Sequence, residues 1–349
     1  MEWGRAGGCD SLWWAGEVTL GGRRPGVMLP GGIGMADAQR LAQESEAAGA
    51  ESVWLADVRR EPYLLSAAAL STTTRVDVGT NVAVAFSRSP VATAQAAWDL
   101  SGWSGGRFVL GLGSQVKGTL ENRFGVSAEH PASMLRDYVN AVRACFKAYR
   151  EGHGRYEGEH YRIRQPVFMP GADADWPEPP IYVAGVNPVM TAIAGECADG
   201  FAAHMFSTEA YLDEVIRPAL AAGAAKSGRP APLVLLSIVV APARETLARQ
   251  MTTYTVPGYR RVLDHSGLSA EADAILGAIA ERRRTDAQRL IDENVLDLLA
   301  VVTLDDLAAG VARWSAHADR LALSVPWYGI PDEEQVAIYR RLLTELERL

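Results

Sequence analysis

Eight short, nearly continuous apolar runs recur along this chain of 349 residues, and they limit the possible folds more than any other feature. A strand that is covered on both faces reads as a continuous apolar run, whereas a strand exposed on one face alternates with polar residues. Stretches with helical periodicity separate the runs. We therefore interpret the runs as strands of a parallel sheet with helices packed on its faces. The runs are 26–30, 52–57, 76–86, 108–113, 181–186, 200–206, 233–241 and 320–326.

Eight strands with helices between them predict an α/β fold of the (β/α)8 TIM barrel type over residues 25–349. An open doubly wound sheet is the alternative, although no GxGxxG follows any of the runs. Two stretches, 153–179 and 243–302, are too long for simple connections, and we interpret them as insertions that build a binding surface. Residues 1–24, rich in glycine, arginine and tryptophan, are predicted to be an N-terminal extension without the pattern of a secretory signal.

The charge and cysteine content exclude several classes of function. The chain has 34 basic and 42 acidic residues and no basic face, so we expect no nucleic-acid partner. No apolar run approaches 18 residues, so we expect no membrane span. The three cysteines are widely spaced, and the histidines lack HxxxH or HExxH spacing, so we expect neither disulfides nor a metal site. Free thiols fit a cytoplasmic protein. The charge balance leaves a small molecule as the expected ligand.

Polar residues at the ends of three runs mark the candidate site. The active site of an α/β barrel lies at the carboxyl ends of its strands. Asp57 ends the second run and His204 lies near the end of the sixth, which makes both candidate acid–base groups, although a lone histidine there also fits a structural role. Asn81 is polar within the third run, so it is either a hydrogen-bonded core amide or a residue that faces a pocket.

Two further strand ends have the features of an anion-binding site. Gly113, Ser114 and Gln115 leave the fourth run with glycines that allow a ligand to approach the backbone. Residues 184–187 lead from the fifth run into a helix whose first turn carries Pro188. The free N–H groups and positive dipole end of that helix suit a phosphate. These two segments together predict a phosphate-bearing ligand at adjacent strands.

Several sequence segments resemble the luciferase-like monooxygenase superfamily, and in particular its branch of coenzyme F420-dependent oxidoreductases. They include TNVAVAFSRSP at 80–90, WDL at 98–100 and GGRFVLGLGSQ at 105–115. Shorter matches are RFG at 123–125, AGV at 184–186, ADGF at 198–201 and HMFST at 204–208. The resemblance covers about residues 25–330 and implies a (β/α)8 barrel with an inserted segment that forms a homodimer or larger assembly.

The resemblance also implies a cofactor site. A bulge with a cis peptide at Asn81–Val82 would support the isoalloxazine ring, and the phosphate would lie between the two strand-end segments. Lys117 would favour the longer anionic tail of F420. The cofactor-contacting residues implied are Thr80, Asn81, Val82, Gly113, Ser114, Gln115, Lys117, Ala184, Gly185, Val186 and Asn187. Many relatives have Glu at the position of Asp57 and His at that of Arg60, so their protonation groups do not carry over to this chain.

Three functions follow from these observations. The favoured one is an F420-dependent oxidoreductase that transfers a hydride between the deazaflavin and a small organic substrate. The second is an FMN-dependent two-component monooxygenase, which needs a reductase partner, and the third is a flavin-binding protein without catalysis. Aromatic and apolar side chains are expected to line the substrate pocket, although Trp54 and Phe86 fit the barrel core equally well. They are Trp54, Tyr63, Phe86, Met205, Phe206, Tyr254 and Tyr259.

Overall fold

A computed structural model describes residues 24–168, 171 and 173–349 of the chain. Its strands, in chain order, are β1 (Gly26–Met28), β2 (Ser52–Leu55), β3 (Asp77–Thr80), β4 (Ala83–Val84), β5 (Phe108–Gly113), β6 (Tyr156–Glu157), β7 (Arg162–Ile163), β8 (Ile181–Gly185), β9 (Gly200–Ala203), β10 (Leu233–Ala241), β11 (Val301–Thr303) and β12 (Arg320–Ser324). Its helices are α1 (Met35–Ala47), α2 (Pro62–Leu70), α3 (Pro90–Ser104), α4 (Lys117–Phe124), α5 (Pro131–Glu151), α6 (Pro188–Cys197), α7 (Glu209–Tyr211), α8 (Arg217–Ser227), α9 (Arg244–Met251), α10 (Arg260–His265), α11 (Ser269–Ala280), α12 (Arg284–Asn294), α13 (Leu307–Trp314) and α14 (Asp332–Glu347).

Eight of these strands form a closed parallel barrel. The ring runs β1, β2, β3, β5, β8, β9, β10 and β12, and it closes because β12 pairs with β1. Each of the eight predicted runs contributes one barrel strand, so the prediction of a (β/α)8 barrel is confirmed and the open sheet is excluded. The short strands β4 and β11 extend the wall at the carboxyl end, where they pair with β5 and β10.

The barrel interior is filled by large side chains at mid-height. Trp54, Val109, Tyr182, Leu235 and Ala322 form one buried cluster, each from a different strand. Below them, towards the amino ends of the strands, the buried Arg320 donates hydrogen bonds to Glu51 and Asp77. The interior is therefore a packed core whose lower end is sealed, as expected for a barrel of eight strands.

The helices pack their apolar faces on the outside of the barrel. On α5, the buried residues Leu135, Tyr138, Val142 and Cys145 follow the spacing of three and four that the sequence shows. The helix ends at Gly152, whose φ of 76° is left-handed. Cys145 and Cys197 are free thiols that are both buried within helices.

The two long connections contain secondary structure of their own. Residues 153–179 include the antiparallel β6–β7 hairpin, and 243–302 include four helices, α9 to α12, ahead of β11. Almost all of the predicted extension, residues 1–24, lies outside the described residues, and the proposed division of the chain stays a prediction. Arg24, the first described residue, donates to the carbonyl oxygens of Ala48 and Leu346. Within the described ranges, every helix is too short or too polar to cross a membrane.

Candidate active site

The upper part of the barrel interior is lined by small side chains. Side chains of a strand point inwards at every second residue, so the positions above the large buried cluster can be read from the sequence. They are Ala56, Gly111, Ala184, Ser237 and Ser324. These five positions therefore carry side chains no larger than serine at the carboxyl end of the barrel.

The third strand is interrupted at this end by a bulge, which comprises residues 81–84. β3 stops at Thr80, the peptide bond between Asn81 and Val82 is cis, and the strand resumes as β4. The cis bond lies where the family resemblance implies it. The Thr80 hydroxyl accepts a hydrogen bond from Gly111 N (2.9 Å) and donates to Gly111 O (2.7 Å), and so links β3 to β5 next to the bulge.

Asn81 faces the barrel interior and is hydrogen-bonded there. Its Nδ2 donates to Ser237 Oγ at 3.0 Å, on the strand β10 across the barrel. The first alternative left open by the sequence, a hydrogen-bonded amide, is therefore observed, and a role for Asn81 at a pocket stays a prediction.

The glycines of β5 allow the bulge to approach. A Cβ at Gly111 would lie 1.9 Å from the carbonyl oxygen of Thr80, and one at Gly113 would lie 2.7 Å from Val82 Cγ2. Any side chain at Gly111 would displace backbone atoms. These glycines thus make room for the bulge beside β5.

The two predicted anion-binding segments lie side by side. β5 pairs with β8, Leu112 opposite Val183, so the segment after Gly113 lies beside Ala184 and Gly185. Gln115 has a left-handed φ of 60°, and its Oε1 accepts a hydrogen bond from Val116 N. This left-handed residue turns the chain sharply at the end of β5.

The outer members of the two segments differ in their surroundings. Asn187 caps α6 by accepting a hydrogen bond from Met190 N at 2.9 Å, while Gly185 and Val186 are half-buried. Lys117 is 79% exposed and lies 3.9 Å from Glu121 one turn further along α4. Lys117 is therefore exposed to solvent, as are Gln115 and Asn187 among the predicted cofactor residues.

The Asp57 carboxylate is buried and lies beside two arginine side chains. Oδ2 accepts hydrogen bonds from Val84 N (3.2 Å) and Arg88 Nη1 (3.1 Å). Oδ1 lies 3.7 Å from Arg123 Nη2. The Asp57 carboxylate thus lies between two guanidinium groups of its own chain.

His204 is held in one neutral tautomer at the end of β9. Its Nδ1 accepts a hydrogen bond from Phe206 N at 3.0 Å, which leaves the ring proton on Nε2. The rings of Tyr254 and Tyr259 pack against it with centroids 4.5 and 4.7 Å away. Burial lowers the pKa of His204 to about 3. At neutral pH, His204 is therefore a hydrogen-bond donor and not a cation.

We expect His204 to make the fold less stable in mild acid. A histidine in the unfolded chain takes up a proton near pH 6.5, whereas the folded His204 stays neutral down to about pH 3. Below pH 6.5 the unfolded state thus binds more protons, and stability falls as the pH decreases. Between pH 7.5 and 5 the loss should be about 1–2 kcal/mol.

Urea unfolding at both pH values measures this loss. His204→Gln, which keeps an N–H donor but has no titrating ring, should remove it, and a variant of the exposed His153 should keep the wild-type pH dependence. Equal pH dependence in the wild type and His204→Gln would show that the ring does not titrate abnormally.

The predicted aromatic lining separates into two groups. Phe206, Tyr254 and Tyr259 cluster with His204. Trp54, in contrast, belongs to the barrel core. Tyr63 and Phe86 pack against Phe108 and Tyr138. Of the predicted lining residues, Phe206, Tyr254 and Tyr259 are thus the ones that the aromatic contacts place in one cluster with His204.

Sequence reasoning missed two residues that organise this end of the barrel. Arg88 bridges Asp57 and Glu61. Gln250 is buried, and its Oε1 accepts hydrogen bonds from Trp327 N and Tyr328 N, while its Nε2 donates to the Tyr254 hydroxyl at 3.3 Å. A glutamine between buried residues of an amphipathic helix was the available signal for Gln250.

Comparison with known proteins identifies the family. The family described as luciferase-like monooxygenase matches residues 17–323. The chain belongs to the luciferase-like monooxygenase family. The predicted family is thereby confirmed, and so is the prediction that the protein is an oxidoreductase.

Individual relatives agree with this assignment. The uncharacterized protein Rv1360 of Mycobacterium tuberculosis is 35% identical over 312 residues, which cover 84% of this chain and 91% of Rv1360. The putative coenzyme F420-dependent oxidoreductase Rv3520c of the same organism is 28% identical over 79% of this chain and 86% of its own length. The structure of the coenzyme F420-dependent tetrahydromethanopterin reductase of Methanopyrus kandleri shares the fold, with a TM-score of 0.76 and 19% identity over 93% of this chain and 98% of that one.

Proposed function

We propose that the protein binds coenzyme F420 and transfers a hydride between it and a small organic substrate. The observation that carries this proposal is the meeting of the bulge at 81–84 with two glycine-containing strand ends at the mouth of the barrel. The similarity to Rv3520c, which is named for F420, supports the choice of cofactor.

The residues present fit a ring with a phosphate-bearing tail. The small side chains above Trp54 leave space for a flat ring beside Asn81 and Val82. The backbone of 113–115 and 185–187, with the start of α6, would face the phosphate. A bound deazaflavin supplies a hydride, that is, two electrons and a proton nucleus, to the substrate or takes one from it.

His204 would orient the substrate in this reaction. Its neutral ring offers one N–H donor, fixed by Phe206 N and by two tyrosine rings. Such a donor suits a carbonyl or hydroxyl oxygen of the substrate. A neutral N–H group binds an uncharged oxygen through a hydrogen bond and needs no ion pair. The apolar surroundings favour a substrate with aromatic or aliphatic parts around that oxygen.

Equilibrium titration with F420 and with FMN, followed by fluorescence, tests the cofactor. We expect F420 to bind at least about tenfold more tightly than FMN, which is a difference of about 1.4 kcal/mol. The deazaflavin chromophore without its phosphate tail is the matched control, and it should bind more weakly than F420.

Tighter binding of FMN would overturn the proposal in favour of an oxygen-using monooxygenase with a partner reductase. If neither cofactor binds, the proposed cofactor site at the bulge and the two strand ends is wrong.

A further inference from the structure

Three hydrogen bonds connect the end of β2 to the bulge. Asn81 N donates to Leu55 O at 2.8 Å, and Asp57 N donates to Val82 O at 3.3 Å. Val84 N donates to the Asp57 carboxylate at 3.2 Å. The bulge is thus held at its first, second and last residues, and the side chain of Asp57 makes the last of these bonds.

Arg88 holds the Asp57 carboxylate in this position. Its Nη1 donates to Asp57 Oδ2 and lies 3.5 Å from Val84 O, so it contacts the carboxylate and the bulge together. Its Nη2 donates to Glu61 Oε1 at 2.6 Å, and its guanidinium lies over the ring of Tyr63. Glu61 in turn caps α2 by accepting a hydrogen bond from Leu64 N. Arg88 therefore holds the Asp57 carboxylate and is itself held by Glu61 at the start of α2.

Asp57 also forms an ion pair with α4, the helix that follows the strand next to the bulge. Arg123, whose guanidinium lies 3.7 Å from Asp57 Oδ1, belongs to α4. This helix begins directly after the loop 114–116, where we place one side of the phosphate. The Asp57 side chain, which is only 4% exposed, thus lies between the bulge, where we place the ring, and α4, which follows the loop where we place the phosphate.

We propose that Asp57 is a positioning residue that clamps the bulge and couples it to α4. This inference rests on the proposed function. The Asp57 carboxylate accepts hydrogen bonds at Oδ2 from Val84 N in the bulge and from Arg88 Nη1, and its Oδ1 lies at ion-pair distance from Arg123 of α4. Its effect on the cofactor therefore passes through the backbone of residues 81–84.

Three variants in the full chain test the clamp. Asp57→Ala removes every contact, whereas Asp57→Asn keeps an oxygen for Val84 N and loses the charge. Asp332→Asn is the matched control, because Asp332 pairs with Arg59 at an exposed position. Arg88→Lys, which leaves Asp57 intact and weakens the clamp, serves where Asp57→Ala does not fold.

The first readout does not depend on a cofactor. Hydrogen–deuterium exchange of the peptide that contains Val84 should be at least tenfold faster in Asp57→Ala, or in Arg88→Lys, and unchanged in Asp332→Asn. Unchanged exchange in the Asp57 and Arg88 variants would overturn the clamp, whether or not the protein binds F420.

The second readout is binding of F420. Asp57→Ala should bind at least tenfold more weakly, with the spectrum of the bound ring shifted towards that of free F420, and Asp57→Asn should recover part of both. Wild-type affinity and spectrum in both Asp57 variants would contradict a positioning role. If the wild type itself binds no F420, the proposed function fails, and the exchange measurement alone decides the clamp.

Discussion

Replacing Gly111 by valine should lower the free energy of unfolding by about 3 kcal/mol and abolish cofactor binding. The added Cβ would lie 1.9 Å from the carbonyl oxygen and 3.0 Å from the carbonyl carbon of Thr80. These are backbone atoms at the start of the bulge, and Thr80 is tied to Gly111 by two hydrogen bonds. The clash can therefore be relieved only by moving the bulge. Urea unfolding and titration with F420 measure the two effects.

Gly277→Ala is the control for this substitution. Gly277 lies in α11, and a Cβ there would meet nothing within 4 Å among the described residues. Alanine should raise stability by about 0.5–1 kcal/mol through its helix propensity and leave cofactor binding unchanged. A Gly111→Val protein with wild-type stability and wild-type affinity for F420 would contradict the geometry of the bulge.

Replacing Arg320 by methionine should destabilise the barrel by about 3–5 kcal/mol. The Arg320 side chain is 7% exposed, and it donates to Glu51 Oε1 at 2.7 Å and to Asp77 Oδ2 at 3.0 Å. Its removal leaves two carboxylates at the lower end of the barrel without their cation. Urea unfolding at pH 7 measures the loss.

Arg340→Met is the matched control on the surface. Arg340 pairs with Glu44 in a bidentate contact, but its side chain is 48% exposed, so the loss should stay within about 1 kcal/mol. Neither variant should change the affinity of the folded protein for F420, because Arg320 lies at the end of the barrel opposite the candidate site. Equal losses of stability in the two variants would show that the buried pair contributes no more than the exposed one.

The barrel itself was predictable from the sequence, since each barrel strand is covered on both faces and leaves a continuous apolar run. Strand β11 was missed because Val301–Thr303 is only three residues long and follows a helical pattern. So short a segment carries no periodicity of its own. Its pairing with Val239 depends on how the connection 243–302 folds back on β10.

The candidate site was predictable only in part. The position of the bulge came from the family resemblance. The partners of Asp57 could not be predicted, because Val84 and Arg88 lie about thirty residues away and meet it only through the pairing of β2 with the third strand. Trp54 was ambiguous because an apolar side chain has the same pattern in a core and in a pocket. The homodimer, the cytoplasmic location and the reductase partner stay predictions.

A crystal structure of the protein with bound F420 would show whether the bulge and the two strand ends form the cofactor site. We expect the ring against residues 81–83 at the mouth of the barrel, and the phosphate within hydrogen-bonding distance of the backbone of 113–115 and 185–187. The chain offers another place for a ligand, a surface groove between α9, β11 and α13 that is lined by Arg244, Arg313 and Trp314. If F420 bound in that groove and made no contact with the bulge or either strand end, the proposed position of the cofactor site would be wrong.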